Sequence, residues 1–85
     1  MELQQQFEQA VADSKTLSEK PDNQGLLQLY SLYKQATAGD VHDNAPVNVF
    51  DFVAKLKYEA WSKLKGMSKE DAMKAYIQLI GRLKK

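Results

Sequence analysis

Three observations predict an all-α fold, a four-helix bundle, for this sequence. Apolar residues recur at intervals of three and four residues in four separate segments of the 85-residue chain. No window of strand length alternates apolar with polar residues. Turn-forming residues and a polar loop at about 40–50 separate the segments. One bundle accounts for the whole length, so residues 1–85 are predicted to form a single domain.

The first helix is predicted to run from Leu3 to Leu17 and to end before Pro21. The second is predicted to start after Asp22, whose carboxylate can accept a hydrogen bond from the first turn. It is predicted to end at Gly39, in a left-handed cap conformation. On a helical wheel, one arc of this helix is apolar and is expected in the core: Leu26, Leu29, Leu32, Tyr33 and Ala36.

The third and fourth helices follow the polar loop. Asp51 is expected to cap the third helix and Gly66 to end it. Its apolar residues form a ladder with a spacing of four that is expected to face the core: Phe52, Leu56, Ala60 and Leu64. Ser68 is expected to cap the fourth helix, because acidic residues fill the first turn after it. The apolar face of the fourth helix comprises Ala72, Met73, Tyr76, Ile77, Ile80 and Leu83.

Composition and charge limit the setting and the partners. The chain has no cysteine, so a disulfide framework is excluded. The N-terminal stretch MELQQQFEQ lacks the apolar core of a signal peptide, and no stretch approaches the roughly 18 apolar residues of a membrane span. A soluble, cytoplasmic protein without stable membrane insertion is therefore expected. Residues 1–54 carry 3 basic and 8 acidic side chains, and residues 55–85 carry 9 basic and 3 acidic, which suggests an anionic partner or simply solvated helices.

The residues that catalysis would need are absent from the sequence. The one histidine, His42, lies in the polar loop near two aspartates, but no second histidine and no cysteine complete a zinc site. No serine has a neighbouring histidine base, and no glycine-rich phosphate loop is present. We therefore expect a protein that is not an enzyme and that needs no metal or cofactor.

Binding residues flank the predicted core faces. On the second helix Leu27, Tyr30 and Lys34 form a mixed strip beside the apolar arc. The other helices offer similar flanking residues: Lys15 on the first, Lys57 and Trp61 on the third, and Tyr76 on the fourth. Rings and lysines of this kind suit a ligand that carries a flat base and phosphates, and apolar neighbours would add a groove for a tail. Amphipathic packing of tyrosine and snorkelling of lysine remain the alternative explanation for each residue alone.

A helical module that binds protein or nucleic acid is the rival class. The basic C-terminal half favours it, but a nucleic-acid reader would concentrate arginine and lysine on one helix, and the chain has a single arginine, Arg82. A helix that lies on a membrane surface is disfavoured because every apolar arc is expected to be needed for the core. No nucleic-acid partner is therefore expected.

Two stretches of the sequence, YSLYKQATAGD and AWSKLKGMSKEDAMKAYI, resemble the signature stretches of the acyl-CoA-binding protein family. The resemblance extends from Phe7 to Lys84. It implies an up-down-down-up four-helix bundle that binds long-chain acyl-CoA thioesters without catalysis and serves as an intracellular carrier and pool former. It also implies a monomer that meets acyl-CoA-using enzymes transiently.

The resemblance assigns roles to single residues. Tyr30, Lys34 and Lys57 would hold the 3′-phosphate of the CoA nucleotide. Tyr33 would pack on the adenine, near Lys15 and the Phe7–Val11 face of the first helix, and Tyr76 would close the site. The acyl chain would lie between the second and third helices along three apolar residues, Leu27, Val53 and Leu56. Trp61 is placed in the core or at its edge, not on the ligand.

The chain departs from the family pattern at two places. The loop around Pro46 is one residue longer than usual, and Asn48 is expected to supply the turn conformation that glycine gives elsewhere. Val53 stands where lysine is common, which removes a charge and widens the apolar strip. Both departures bear on chain-length preference rather than on ligand class.

Overall fold

The structure, a computed structural model, describes residues 2–41 and 51–84. Four helices occupy these ranges, in the order α1 (Leu3–Ser14), α2 (Asn23–Ala38), α3 (Phe52–Ser62) and α4 (Lys69–Leu83). Neither range contains a strand. The predicted all-α class is therefore confirmed, while the predicted features of the loop around Pro46 lie outside the described residues.

The three side-chain caps that were predicted from the sequence are present. The carboxylates of Asp22 and Asp51 accept hydrogen bonds from the backbone N–H groups three residues on, at 2.7 and 3.0 Å, and the Ser68 hydroxyl does the same at 3.0 Å. Gly39 has the positive φ that was expected, 84°, but its ψ of −153° lies outside the left-handed helical region. The predicted conformation of this cap is thus wrong in ψ, and the residue leaves the helix in a more extended path.

Helices α1 and α3 end earlier than was predicted. Helix α1 stops at Ser14 rather than Leu17, because the next N–H groups turn to carbonyls three residues back: that of Thr16 bonds to Asp13 at 3.0 Å. Helix α3 stops at Ser62 for the same reason, since the N–H of Leu64 bonds to a carbonyl three residues back at 3.0 Å. Both ends tighten into turns before the chain reverses.

Side-chain pairs fix the direction of the helices. The Phe7 ring meets the Tyr76 ring near the middle of α1 and α4, and Asp13 bonds to Lys84 at their ends, so these two helices run in the same direction. Residues 30 and 34 of α2 likewise pair in order with residues 57 and 61 of α3, so these two are also parallel. The end of α2 meets the start of α4, through Gln35 and Met67, which makes that pair antiparallel. The arrangement is the predicted up-down-down-up bundle.

The hydrophobic core lies between α1, α2 and α4. In residues 2–41 and 51–84 its buried members come from these three helices: Phe7, Ala10, Leu29, Ala36, Ala72, Tyr76 and Ile80. Among the described helices α3 packs against α2 alone. Within the described ranges α3 therefore adds no buried residue to this core cluster.

The apolar ladder of α3 does not face the core, contrary to the sequence prediction. Phe52 is 67% exposed and Leu56 is 50% exposed, whereas Trp61 is the buried residue of this helix. The reason is the rotation of α3: with Trp61 turned toward α2, Phe52 and Leu56 lie on the outside, whereas Ala60 and Leu64 are half-buried. Two other residues of the predicted core arc, Leu26 and Tyr33, are also exposed.

Candidate ligand-binding site

The flank between α2 and α3 carries two pairs of a lysine and an aromatic ring. The Lys34 ammonium lies 4.8 Å from the centroid of the Trp61 ring, and the Lys57 ammonium lies 5.2 Å from the centroid of the Tyr30 ring. In each helix the two members are four residues apart, so parallel packing of α2 on α3 brings both pairs into register. Both distances are within the range of a cation–π interaction.

The cations of this flank are held by rings rather than by carboxylates. Among the described residues neither Lys34 nor Lys57 forms an ion pair with an aspartate or a glutamate. A lysine that has only a ring as its partner keeps its three donors available. The flank can therefore receive an anionic group without first breaking a salt bridge.

An apolar groove of about 270 Å³ adjoins the cationic pairs. Its lining comes from α2 and α3: Asn23, Leu26, Leu27, Val53, Leu56 and Lys57. Lys57 belongs to both features, because it lines the groove and also lies over the Tyr30 ring. A surface for an apolar chain thus meets a surface for an anion at one side chain.

Three aromatic rings extend the surface from α2 to α1 and α4. The Phe7 ring stacks on Tyr33 with a centroid distance of 6.0 Å and an interplanar angle of 26°, and it meets Tyr76 edge-on at 5.2 Å. Tyr33 is 41% exposed, so one face of its ring is open to a partner. Tyr76 is only 4% exposed and is mainly a core residue.

The structure brings together most of the residues that the sequence singled out, but not all of them. Leu27, Val53 and Leu56 share the groove with Lys57, and Tyr30 and Lys34 lie beside it. Lys15 is exposed directly after α1, and among the described residues no ion pair or cation–π contact joins it to this cluster. Tyr76 touches the cluster only through the Phe7 ring.

Trp61 was named from the sequence among the residues that flank the core faces, and the resemblance placed it in the core or at its edge rather than on the ligand. Its contact with the Lys34 ammonium is what the sequence did not indicate. In the structure it is 3% exposed, and its indole N–H donates to the Gly39 carbonyl at 2.9 Å. The signal that could have indicated the contact between Trp61 and Lys34 is the spacing, since Lys57 and Trp61 repeat the interval of Tyr30 and Lys34.

A buried polar network fixes the end of α2 below the site. The fully buried Gln35 donates through its side-chain amide to Asp40 at 2.8 Å and to the Met67 carbonyl at 2.7 Å. The same carboxylate oxygen of Asp40 accepts from the backbone N–H of Gly66 at 2.8 Å. The Gly66 N–H, together with the Gln35 amide, holds the pKa of the Asp40 carboxyl below its usual value. The network ties α2 to the segment that joins α3 and α4.

A larger cavity, of about 410 Å³, lies away from this site. It is formed by residues 18–22 and the end of α4, and it contains none of the residues predicted to bind. Its lining carries both signs of charge, with Glu19 and Asp22 beside Lys20 and Arg82. Size alone therefore does not identify the binding surface, whereas the meeting of groove, rings and cations does.

Residues 2–41 and 51–84 contain neither a cluster of three potential metal ligands nor a helix that could span a membrane. No group of three histidine, cysteine, aspartate or glutamate side chains there could hold a metal ion. His42 lies outside those ranges. None of the described helices is both long and apolar enough to cross a bilayer.

Comparison with known proteins gives one consistent result. A family model described as "Acyl CoA binding protein" matches residues 4–80. An acyl-CoA-binding protein homolog of Manduca sexta is 47% identical over 77 residues, which are 91% of this chain and 86% of that protein. Acyl-CoA-binding protein homolog 1 of Caenorhabditis elegans is 46% identical over 77 residues, 91% of this chain and 88% of that protein.

Solved structures agree with the sequence comparisons. The crystal structure of Oryza sativa acyl-CoA-binding protein 2 superposes with a TM-score of 0.90 at 40% identity, over 96% of this chain and 90% of that one. A crystal structure from Moniliophthora perniciosa, named by the family abbreviation ACBP, superposes with a TM-score of 0.83 at 35% identity, over 93% of this chain and 76% of that one.

Proposed function

This chain belongs to the acyl-CoA-binding protein family, and from that membership and the α2–α3 geometry we propose that it binds long-chain fatty acyl-CoA thioesters. It acts as a carrier and pool former, not as an enzyme, and needs no metal or cofactor. Residues 1–85 work as one domain and as a monomer in the cytoplasm, and acyl-CoA-using enzymes are transient partners. By sequestering the acyl chain, the protein keeps the thioester in solution.

The continuity between groove and cations is the observation that carries this proposal. Leu27, Val53 and Leu56 offer an apolar surface that ends at Lys57, where the aromatic and cationic side chains begin. An acyl-CoA has the same sequence of chemistry, with an apolar tail at one end and a nucleotide with phosphates at the other. A free fatty acid or a free nucleotide matches only half of the surface.

The site residues divide between the two parts of the ligand. Tyr30, Lys34 and Lys57 bind the 3′-phosphate, since all three lie on the α2–α3 flank, where each ammonium is held over a ring. The exposed face of Tyr33 takes the adenine, supported from behind by Phe7. Lys15 contributes charge from the end of α1, and Tyr76 acts from the core side through Phe7.

Magnitudes indicate which part of the ligand drives affinity. Burying about ten methylenes at ~0.8 kcal/mol each gives roughly 8 kcal/mol before the cost of ordering the chain. An exposed lysine–phosphate pair contributes ~0–1 kcal/mol, and a hydrogen bond to a charged group ~1.5–3 kcal/mol. The tail therefore dominates affinity, while the nucleotide determines specificity and register.

Native mass spectrometry tests this function on the full chain. Protein purified without denaturation and mixed with equimolar palmitoyl-CoA is expected to appear as a one-to-one complex. A Leu27→Asp variant, with a charge in the groove, is expected to appear mostly free under the same conditions. Wild-type protein that remains free after the addition of palmitoyl-CoA would refute the proposed function.

A further inference from the structure

Trp61 contacts the proposed phosphate site without taking part in the groove. Its ring lies under the Lys34 ammonium, yet the side chain is 3% exposed and is not part of the groove lining. A residue so buried cannot offer its face to a ligand as Tyr33 can. Its contact with Lys34 gives it an indirect route to a bound ligand.

Two further contacts hold the indole in place. The ring N–H donates to the carbonyl of Gly39, the residue that caps α2, at 2.9 Å. Because Trp61 is the buried side chain of α3, it also anchors that helix on α2. The ring is thus fixed from both helices before any ligand arrives.

A fixed ring restricts an otherwise mobile cation. Lysine has a flexible four-carbon stem, and an ammonium without a partner samples many rotamers. Lys34 has no carboxylate partner among the described residues, so the indole face is the group that orders its ammonium. Lys57 is ordered in the same way by the less buried ring of Tyr30, which is itself a proposed ligand contact.

We propose that Trp61 is a positioning residue of the ligand site, which holds the Lys34 ammonium toward the phosphate of the bound nucleotide. This inference rests on the proposed function and deepens it. The ammonium is shared between the π face on one side and the phosphate on the other, so Trp61 contributes to phosphate recognition without touching the ligand. A role in packing alone would affect all ligands equally.

The fluorescence of Trp61 tests the proposal directly, because it is the only tryptophan of the chain. Saturating palmitoyl-CoA is expected to shift the emission of the wild type more than saturating 3′-dephospho-palmitoyl-CoA does. The difference should vanish in Lys34→Met, which keeps the stem and removes the charge. It should persist in Lys55→Met, the matched control at an exposed position of α3 that belongs neither to the groove lining nor to the two ring contacts. An equal difference in the wild type and Lys34→Met would overturn the proposal.

Affinity gives a second, independent readout. Trp61→Leu is expected to lower the preference for the 3′-phosphate ester over the dephospho ester by about two- to fivefold, the value of one cation–π contact, and Trp61→Phe to retain most of it. Adding Trp61→Leu to Lys34→Met should not lower the preference for the 3′-phosphate ester any further. An equal loss on both esters in Trp61→Leu would show a structural role only.

The outcomes separate this inference from the proposed function. If the wild type binds neither ester, the proposed function itself fails. If it binds both and the phosphate preference is independent of Trp61, only the positioning role fails. Should Trp61→Leu not fold, Trp61→Phe and the fluorescence of Lys34→Met decide the question, since both keep an aromatic ring at position 61.

Discussion

The Lys57 ammonium lies 5.2 Å from the centre of the Tyr30 ring and also lines the apolar groove between α2 and α3. Through this contact one side chain joins the two chemically different halves of the site. Its position follows from the parallel packing of α2 and α3, which places residue 57 opposite residue 30 and residue 61 opposite residue 34.

The first prediction separates the hydroxyl of Tyr30 from its ring. Tyr30→Phe keeps the ring under Lys57 but removes the donor proposed for the phosphate, so binding of palmitoyl-CoA should weaken by ~1.5–3 kcal/mol. Lys57→Ala should act in the same direction by about 1 kcal/mol. Isothermal titration with the 3′-dephospho ester provides the control, because its affinity should hardly change. Identical losses on both esters would remove these two residues from the phosphate site.

The second prediction concerns Val53, at the position where the family resemblance led us to expect lysine. Val53→Lys should reduce the gain in affinity between octanoyl-CoA and palmitoyl-CoA, by the equivalent of one or two methylenes at ~0.8 kcal/mol each. Phe52→Ser is the matched control, since Phe52 is exposed to a similar extent but does not line the groove. A chain-length dependence that Val53→Lys leaves intact, or that Phe52→Ser changes equally, would contradict the assignment of the groove.

The third prediction concerns the buried amide below the site. Gln35→Ala removes two hydrogen bonds and leaves the Met67 carbonyl without its donor, so the free energy of unfolding should fall by about 2–4 kcal/mol. Gln28→Ala, at an exposed position on the same helix, should stay within about 0.5 kcal/mol of the wild type. Urea denaturation followed by circular dichroism measures both. Equal stability of the two variants would show that the network is dispensable.

The fourth prediction follows from the pKa of Asp40, which hydrogen bonds from Gly66 and Gln35 hold below its usual value. A carboxyl with a depressed folded-state pKa stabilises the fold above its unfolded-state pKa, about 3.9, and loses this contribution as the pH falls through the folded-state value. The stability difference between wild type and Asp40→Asn should therefore be constant near neutral pH and should shrink below about pH 4.

Asp13 is a second carboxyl for which the same kind of pH dependence is expected. Its pKa is lowered in the same direction by hydrogen bonds from Gln9 and Lys84, at the far end of α1 and α4. The stability difference between wild type and Asp13→Asn, measured by thermal denaturation, should therefore also shrink in this pH range, and it should do so whether or not Asp40 is present. A difference between wild type and Asp40→Asn that does not change down to about pH 2 would contradict the assigned role of Asp40.

The sequence predicted the helices well because their signals are local. The caps at Asp22, Asp51 and Ser68 and the apolar face of α4 depend on neighbours within one or two turns. The predicted ends of α1 and α3 lie beyond the observed ones. In each case the chain continues as a turn whose N–H groups bond to carbonyls three residues earlier, and such a turn has the same spacing of apolar residues as a helix.

The sequence could not show which face of α3 is buried. The four-residue ladder and the side that carries Trp61 are both apolar. Which of the two is buried depends on how α3 packs against α2, and this packing cannot be read from the spacing of residues within α3. The full burial of Gln35 could not be predicted either. Its side-chain amide is satisfied by Asp40, which lies beyond the end of α2, and by the carbonyl of Met67, which is 32 residues further along the chain. Leu56 is the ladder residue that lines the groove, so the failure coincides with the candidate site at that position.

Isothermal titration of the wild type with CoA, palmitate and palmitoyl-CoA tests the central claim most directly. A surface that joins an apolar groove to a cationic flank predicts tight one-to-one binding of palmitoyl-CoA and much weaker binding of either half alone, since each half leaves one part of the surface empty. Affinities of CoA and palmitoyl-CoA that are equal would contradict the groove. Affinities of palmitate and palmitoyl-CoA that are equal would contradict the nucleotide site at Tyr30, Lys34 and Lys57.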